Sequence, residues 1–173
     1  MSVSRGITSR SIPVPLLSSA LVILAAFSSA GAQEELLKMR AEYASKSNPV
    51  DRAKVLAKLG SRELAAVRAG LNEGDEESAL AVLEQYRNAV RDTTQALSRT
   101  GINAARRSAG FKELQISLRS SIRRLDDLIL SLQQSSRPLF RAVRADLEDA
   151  ENTLIDALFP PPEPKRPSSA SSQ

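Results

Sequence analysis

The 173-residue sequence contains no cysteine, no histidine and no tryptophan. Without imidazole or thiol it has no means to build a Ser-His-Asp triad, a Cys-His pair, a zinc site of Cys/His type, a His-held haem or an iron–sulfur cluster. A disulfide scaffold and histidine pH switching are excluded with them. Aromatic residues make up 3% of the chain, too few for the stacking platforms of single-strand nucleic-acid binders or for ring-lined sugar clefts. The seven glycines form neither G-x-G-x-x-G nor the Walker spacing, so no phosphate loop is encoded. The di-iron pattern of helical bundles needs Glu-x-x-His, and no Ser-x-x-Lys occurs; Ser108 and Lys112 are one residue too far apart for that motif. The chain is read as a non-enzyme with no metal and no cofactor.

The first 32 residues read as a cleaved secretory signal peptide. Arg5 and Arg10 precede an apolar run from Val14 to Phe27, and Ala30-Gly31-Ala32 supplies an A-x-A cleavage site. The run falls short of the ~20 residues that cross a bilayer core, so the chain is not expected to span a membrane after cleavage. There is no cysteine for a lipid anchor and no adjacent arginine pair for twin-arginine export. The expected location is periplasmic or extracellular, in a bacterial envelope. Cleavage after Ala32 leaves 22 basic against 20 acidic residues, and removing residues 160–173 as well leaves 20 against 19. The basic character thus resides mainly in the ends, and no nucleic-acid partner is expected. The Pro/Ser-rich tail, 160–173, has no apolar periodicity with which to offset its ordering entropy and is expected to be disordered.

Between these ends, residues 33–159 form a body in which Ala, Leu, Arg, Glu and Gln dominate and period-two alternation is absent. Ala79, Leu83, Tyr86, Val90, Thr93 and Leu97 step by four and three residues. So do Phe111, Leu114, Leu118, Ser121, Leu125, Leu128 and Leu132, and then Phe140, Val143, Leu147, Ala150, Leu154 and Ala157. Each series draws an apolar, coiled-coil-like stripe down one helix face. Asn48 with Pro49 and Asp51 marks a helix start, Asn72-Glu73-Gly74 a stop, and Asp75 the next cap. Gly101 with Asn103, and Ser136-Arg137-Pro138, mark two further boundaries. The spacing predicts helices over 34–46, 49–72, 75–100, 103–135 and 138–159, with Gly60-Ser61 a candidate break in the second. The predicted fold is all-α: an elongated antiparallel up-and-down bundle of four long helices, with a short N-terminal helix across an end or flank through Leu36, Met39 and Tyr43. At 1.5 Å per residue the fourth helix would be roughly 50 Å long and would overhang its neighbours.

Two local resemblances resolve into helix grammar. Gly74–Leu80 resembles the start of the second helix of a tetratricopeptide unit, with Ala79 at its small position. Tyr86 falls where that motif wants a small residue and no second copy follows. The acidic turn Asn72–Glu77 lacks the alternate oxygen ligands of a calcium loop and fits a helix stop followed by a capped start. Asp126, Asp127, Asp146, Glu148, Asp149 and Glu151 are assigned to solvated helix faces.

Charge is segregated along the body. From Arg87 to Arg124 nine basic residues stand against Asp92 and Glu113, whereas from Asp126 to Phe159 three arginines stand against seven acids. The simplest arrangement lays the fifth helix beside the third and fourth, so that the fields compensate. On the fourth helix Lys112, Arg119 and Arg123 share a face away from the Leu118/Leu125 stripe, and Ile116 and Leu130 fall on the same side. These five residues are the candidate partner surface, for a protein, for a second copy, or for an anionic lipid or wall polymer. Burial of Ile116 and Leu130 within the chain is the expectation against which that surface is tested. The function expected is that of an exported interaction or scaffold module, the alternative being capture of an anionic envelope component.

Overall fold

A computed structural model describes residues 23–161, and among them every regular element is helical. The helices are α1 (Ile23–Ser45), α2 (Pro49–Asn72), α3 (Glu76–Arg99), α4 (Phe111–Ser131) and α5 (Arg137–Leu158). No described helix is long and apolar enough to cross a membrane. Most of the expected signal segment, and residues 162–173 of the expected tail, lie outside the described residues. Helix α1 starts within the apolar run, eleven residues before the predicted Glu34, and passes without a break through Ala32.

The predicted caps form. The Asn48 side chain accepts from the Val50 N–H at 2.8 Å, with Pro49 in the first turn, and the Asp75 carboxylate accepts from the Ser78 N–H at 3.0 Å. Two expectations fail. Helix α2 runs unbroken through Gly60-Ser61, and α4 starts at Phe111 rather than at 103 and ends at Ser131 rather than at 135. In residues 100–110 the Asn103 side chain ties off a turn by accepting from the Arg106 N–H, and Glu113 Oε2 accepts the Gly110 N–H at 2.7 Å to open the helix. The fourth helix is therefore about 32 Å long, matched to its neighbours, and does not overhang.

The four long helices alternate in direction along the chain, but their order around the bundle is not sequential. Helix α2 packs on α3 and α4, and α5 packs on the same two, so that α2 lies diagonal to α5 and α3 to α4. Gly70 beside Ala79 and Gly60 beside Tyr86 make α2 and α3 antiparallel. Gly110 against Val50, and the Ser117 hydroxyl donating to the Ala57 carbonyl at 2.7 Å, make α2 and α4 parallel. The contacts Glu76 with Ser136 and Arg87 with Asp146 make α3 and α5 parallel as well, and Arg144 with Asp126 makes α4 and α5 antiparallel. Two antiparallel hairpins are laid side by side, joined by a crossing of residues 100–110. Gly110 takes φ +81°, and a Cβ there would lie 3.0 Å from the Val50 carbonyl oxygen, so only glycine lets the crossing pass so close to α2.

Helix α1 lies along the flank of α2 and reaches α3. Leu36 is buried, with Met39 and Tyr43 packed against the core, as their shared side predicts. The Tyr43 hydroxyl pairs with Thr93 Oγ1 at 2.9 Å, and the Arg52 guanidinium stacks over its ring. Arg40 forks onto the buried Glu63 carboxylate, with Nε to Oε1 at 2.7 Å and Nη2 to Oε2 at 2.5 Å.

At the centre of the bundle the fully buried Tyr86 ring presses on Gly60, and its hydroxyl meets Ser121 Oγ at 3.3 Å across the α3/α4 diagonal. A Cβ on residue 60 would sit 2.5 Å from Tyr86 Oη. Gly60→Ala should therefore destabilise the fold by about 1–2 kcal/mol, overpacking outweighing the gain in helix propensity. Adding Tyr86→Phe should recover part of that loss in denaturant unfolding. A Gly60→Ala variant as stable as the parent would refute this account of the α2/α3 contact.

Candidate functional site

The five residues of the candidate surface are all exposed on the outer side of α4. Ile116 retains 55% and Leu130 74% of their accessible area, so the expected burial within the chain does not occur. The reason is topological. Helix α4 packs along α2 and α5, and α1 docks on the far flank of α2, so no element among the described residues covers the outward side. Around Leu130 the helix is apolar nearly all round: Leu128 and Ile129 enter the core, as does Leu132 beyond them, whereas Leu130 projects outward.

The basic members differ from one another. Arg119 turns toward α5, where its Nε donates to Glu151 Oε1 at 2.9 Å, and Gln115 Nε2 donates to the same oxygen at 2.8 Å. Lys112 and Arg123 form no ion pair among the described residues. The expected position of the fifth helix is observed: α5 lies against both α3 and α4, and Arg87–Asp146, Arg119–Glu151 and Arg144–Asp126 bridge the two seams. The surface is thus two exposed aliphatic side chains interspersed with two cations unpaired among the described residues, with a third cation drawn aside.

Two buried carboxylates were not legible as such. Glu151 was assigned to a solvated face, yet it is buried between α4 and α5; Glu63 is buried beneath α1. The signal lay in their positions, since Glu63 sits four residues before Val67 and Glu151 four after Leu147 on core stripes. A carboxylate at such a position requires a partner, and Arg40, Gln115 and Arg119 supply it. The hydrogen bond to Glu63 raises the Arg40 guanidinium above its ordinary value. Both acids are consumed in structural pairs.

Two grooves remain open. Between the parallel helices α3 and α5, short side chains such as Thr94 and Ala150 leave about 650 Å³, edged by Asp92, Asp146 and Asp149. Its charges are largely offset by Arg91 on Asp92 at 3.8 Å and Arg87 on Asp146 at 2.9 Å. A smaller groove of about 390 Å³ follows the α2/α4 seam, where Arg68 and Arg124 line it with Leu64, Ala65 and Leu128. Helical period alone does not bring Arg68 and Arg124 together; the parallel pairing of α2 with α4 places them about one turn apart on the same groove.

Burial pushes the Tyr86 hydroxyl up to about 12, against the opposing hydrogen bonds of Ser121 and Ser117. Below about pH 10 the group is protonated in folded and unfolded chains alike. Between about 10 and 12 only the unfolded chain ionises, so stability is present below that window and is lost as pH rises through it, by on the order of 2 kcal/mol. Urea unfolding across this range should show the decline, and Tyr86→Phe should flatten it. Tyrosinate absorbance should rise for Tyr86 only with unfolding; ionisation of Tyr86 in the intact bundle would contradict its sealed position.

The chain matches no protein-family model, no curated protein and no solved structure.

Proposed function

We propose that this chain is an exported, non-enzymatic helical module that works by binding a protein, with the outer face of α4 as its docking surface. The observation that carries the reading is the exposure of Ile116 and Leu130 on one side of a helix whose other sides are covered. Exposed aliphatic groups beside unpaired cations are the composition of a contact patch rather than of a solvated face. Export is supported by Arg5, Arg10, the apolar run to Phe27 and Ala30-Gly31-Ala32. The absence of histidine and cysteine supports a role without nucleophilic or metal chemistry. A coiled-coil-like seam is supported by the three- and four-residue steps of the apolar stripes.

The test is light scattering coupled to size exclusion at low and high salt. A dimer that resists salt and is lost in Ile116→Ser/Leu130→Ser places a second copy on this face. A monomer at both salts directs the reading to an external protein, recovered by pull-down with the parent and not with the double variant. Equal recovery by both, or a dimer insensitive to the double substitution, removes α4 as the docking face.

A second reading rests on Lys112 and Arg123, which are exposed and form no ion pair among the described residues. Two such cations beside the partly engaged Arg119 make a basic strip for an anionic envelope component, a lipid headgroup or a wall polymer. Vesicles containing an anionic lipid should retain the chain at low salt and release it at high salt. Lys112→Glu/Arg119→Glu/Arg123→Glu should abolish retention; undiminished retention rejects this strip.

A further inference from the structure

We infer that the seam between α2 and α4 is an anion site for a phosphate-bearing ligand, held between the guanidinium groups of Arg68 and Arg124. Both side chains line one groove of about 390 Å³, a volume within the range of small-ligand pockets. They come from two parallel helices and, in the register set by Gly110 on Val50 and Ser117 on Ala57, stand about one helical turn apart along one groove, within the span of two arginine side chains, so that one anion bridges both. No carboxylate lines the groove, and neither guanidinium forms an ion pair among the described residues.

This seam departs from the charge pattern of the α1/α2 seam and of the two seams that α5 forms. Arg40, Arg87, Arg119 and Arg144 each reach across a helix seam to an acid, on Glu63, Asp146, Glu151 and Asp126 respectively. Arg68 and Arg124 instead face each other's seam, where like charges repel and the potential favours an incoming anion. Lys58 and Lys112 stand exposed on the same two helices and add to that field, with Asp127 an opposing acid on α4.

The lining also selects the ligand class. Guanidinium groups present paired N–H donors that match phosphate oxygens, and two of them grip one phosphate from opposite sides. Leu64 and Leu128 are buried beneath the groove, and the short side chain of Ala65 keeps it open above them. An apolar floor between two cations fits a phosphate ester with a hydrocarbon or aromatic substituent better than it fits a fully hydrated anion. The source is either a soluble ester or a lipid headgroup. The inference extends the anionic reading of α4 but rests on residues outside the Lys112/Arg119/Arg123 strip, so the two fail separately.

The experiment is calorimetric titration of the full chain with phenyl phosphate, alongside co-sedimentation with phosphatidic acid vesicles and with phosphatidylcholine vesicles as control. Arg68→Gln, Arg124→Gln and the groove-filling Ala65→Leu should each weaken phenyl phosphate binding by about tenfold or more. Arg123→Gln removes the same charge from the outer face and should change it less than about twofold. Circular dichroism and the unfolding midpoint establish that each variant folds, and all four positions are exposed helix surface. Phenyl phosphate binding without phosphatidic acid retention assigns the site to a soluble ester; both together, each lost in Arg68→Gln, assign it to a headgroup. Equal weakening by Arg123→Gln and Arg68→Gln, or no binding of either probe by the parent chain, overturns the site.

Discussion

The crossing from the end of α3 to the start of α4 is the constraint on which the rest of the molecule depends. Residues 100–110 are long enough to span the bundle diagonal, since eleven residues reach well beyond the roughly 14 Å that separates opposite helices packed about 10 Å apart. A connection of two or three residues would have placed α4 beside α3. Instead the chain passes beneath the bundle, and Gly110 brings it against Val50 because no Cβ intervenes. Helix α4 is thereby set parallel to α2, and α5 closes the square against α3 and α4.

That order decides where charge is cancelled and where it is left. The acid-rich α5 lies between the two arginine-bearing helices α3 and α4, and the seams it forms are the ones bridged by Arg87, Arg119 and Arg144. Exposed pairs of this kind add at most ~1 kcal/mol each, but Glu151 is buried and needs its partners to offset desolvation. No carboxylate lines the groove on the α2/α4 seam, and Arg68 and Arg124 form no ion pair there among the described residues. The same geometry explains the bare outer side of α4: with α1 occupied along α2, no further element exists among the described residues to cover Ile116 and Leu130.

Much of the fold was legible from the sequence, and the failures share one physical cause. Helices α2, α3 and α5 were bounded to within a residue because Asn48, Asp75 and Pro138 act locally, through side-chain caps and a fixed φ. The start of α4 was missed because Ala104, Ala105, Arg106 and Arg107 favour helix by propensity, while Ala104 is buried in the crossing and Gly110 is held against α2 by contacts remote in sequence. Gly60 invited a helix break for the same reason: its value lies in the approach of Tyr86, which no local rule reveals. At the candidate site, the shared face of Lys112, Ile116, Arg119, Arg123 and Leu130 followed from helical angles alone. Its openness did not, nor did the diversion of Arg119 to Glu151.

The sequence by itself determined what is periodic or local: an all-helical body, its caps, its core stripes and the exclusion of imidazole and thiol chemistry. Only the tertiary structure decided which helices are neighbours, because in an alternating bundle either neighbour order satisfies the same apolar stripes and only the crossing length and a glycine contact distinguish them. Exposure of Ile116 and Leu130, burial of Glu63 and Glu151, and the placing of Arg68 and Arg124 on one groove all follow from that choice. Each is a relation between segments tens of residues apart, which a helical period of 3.6 does not encode.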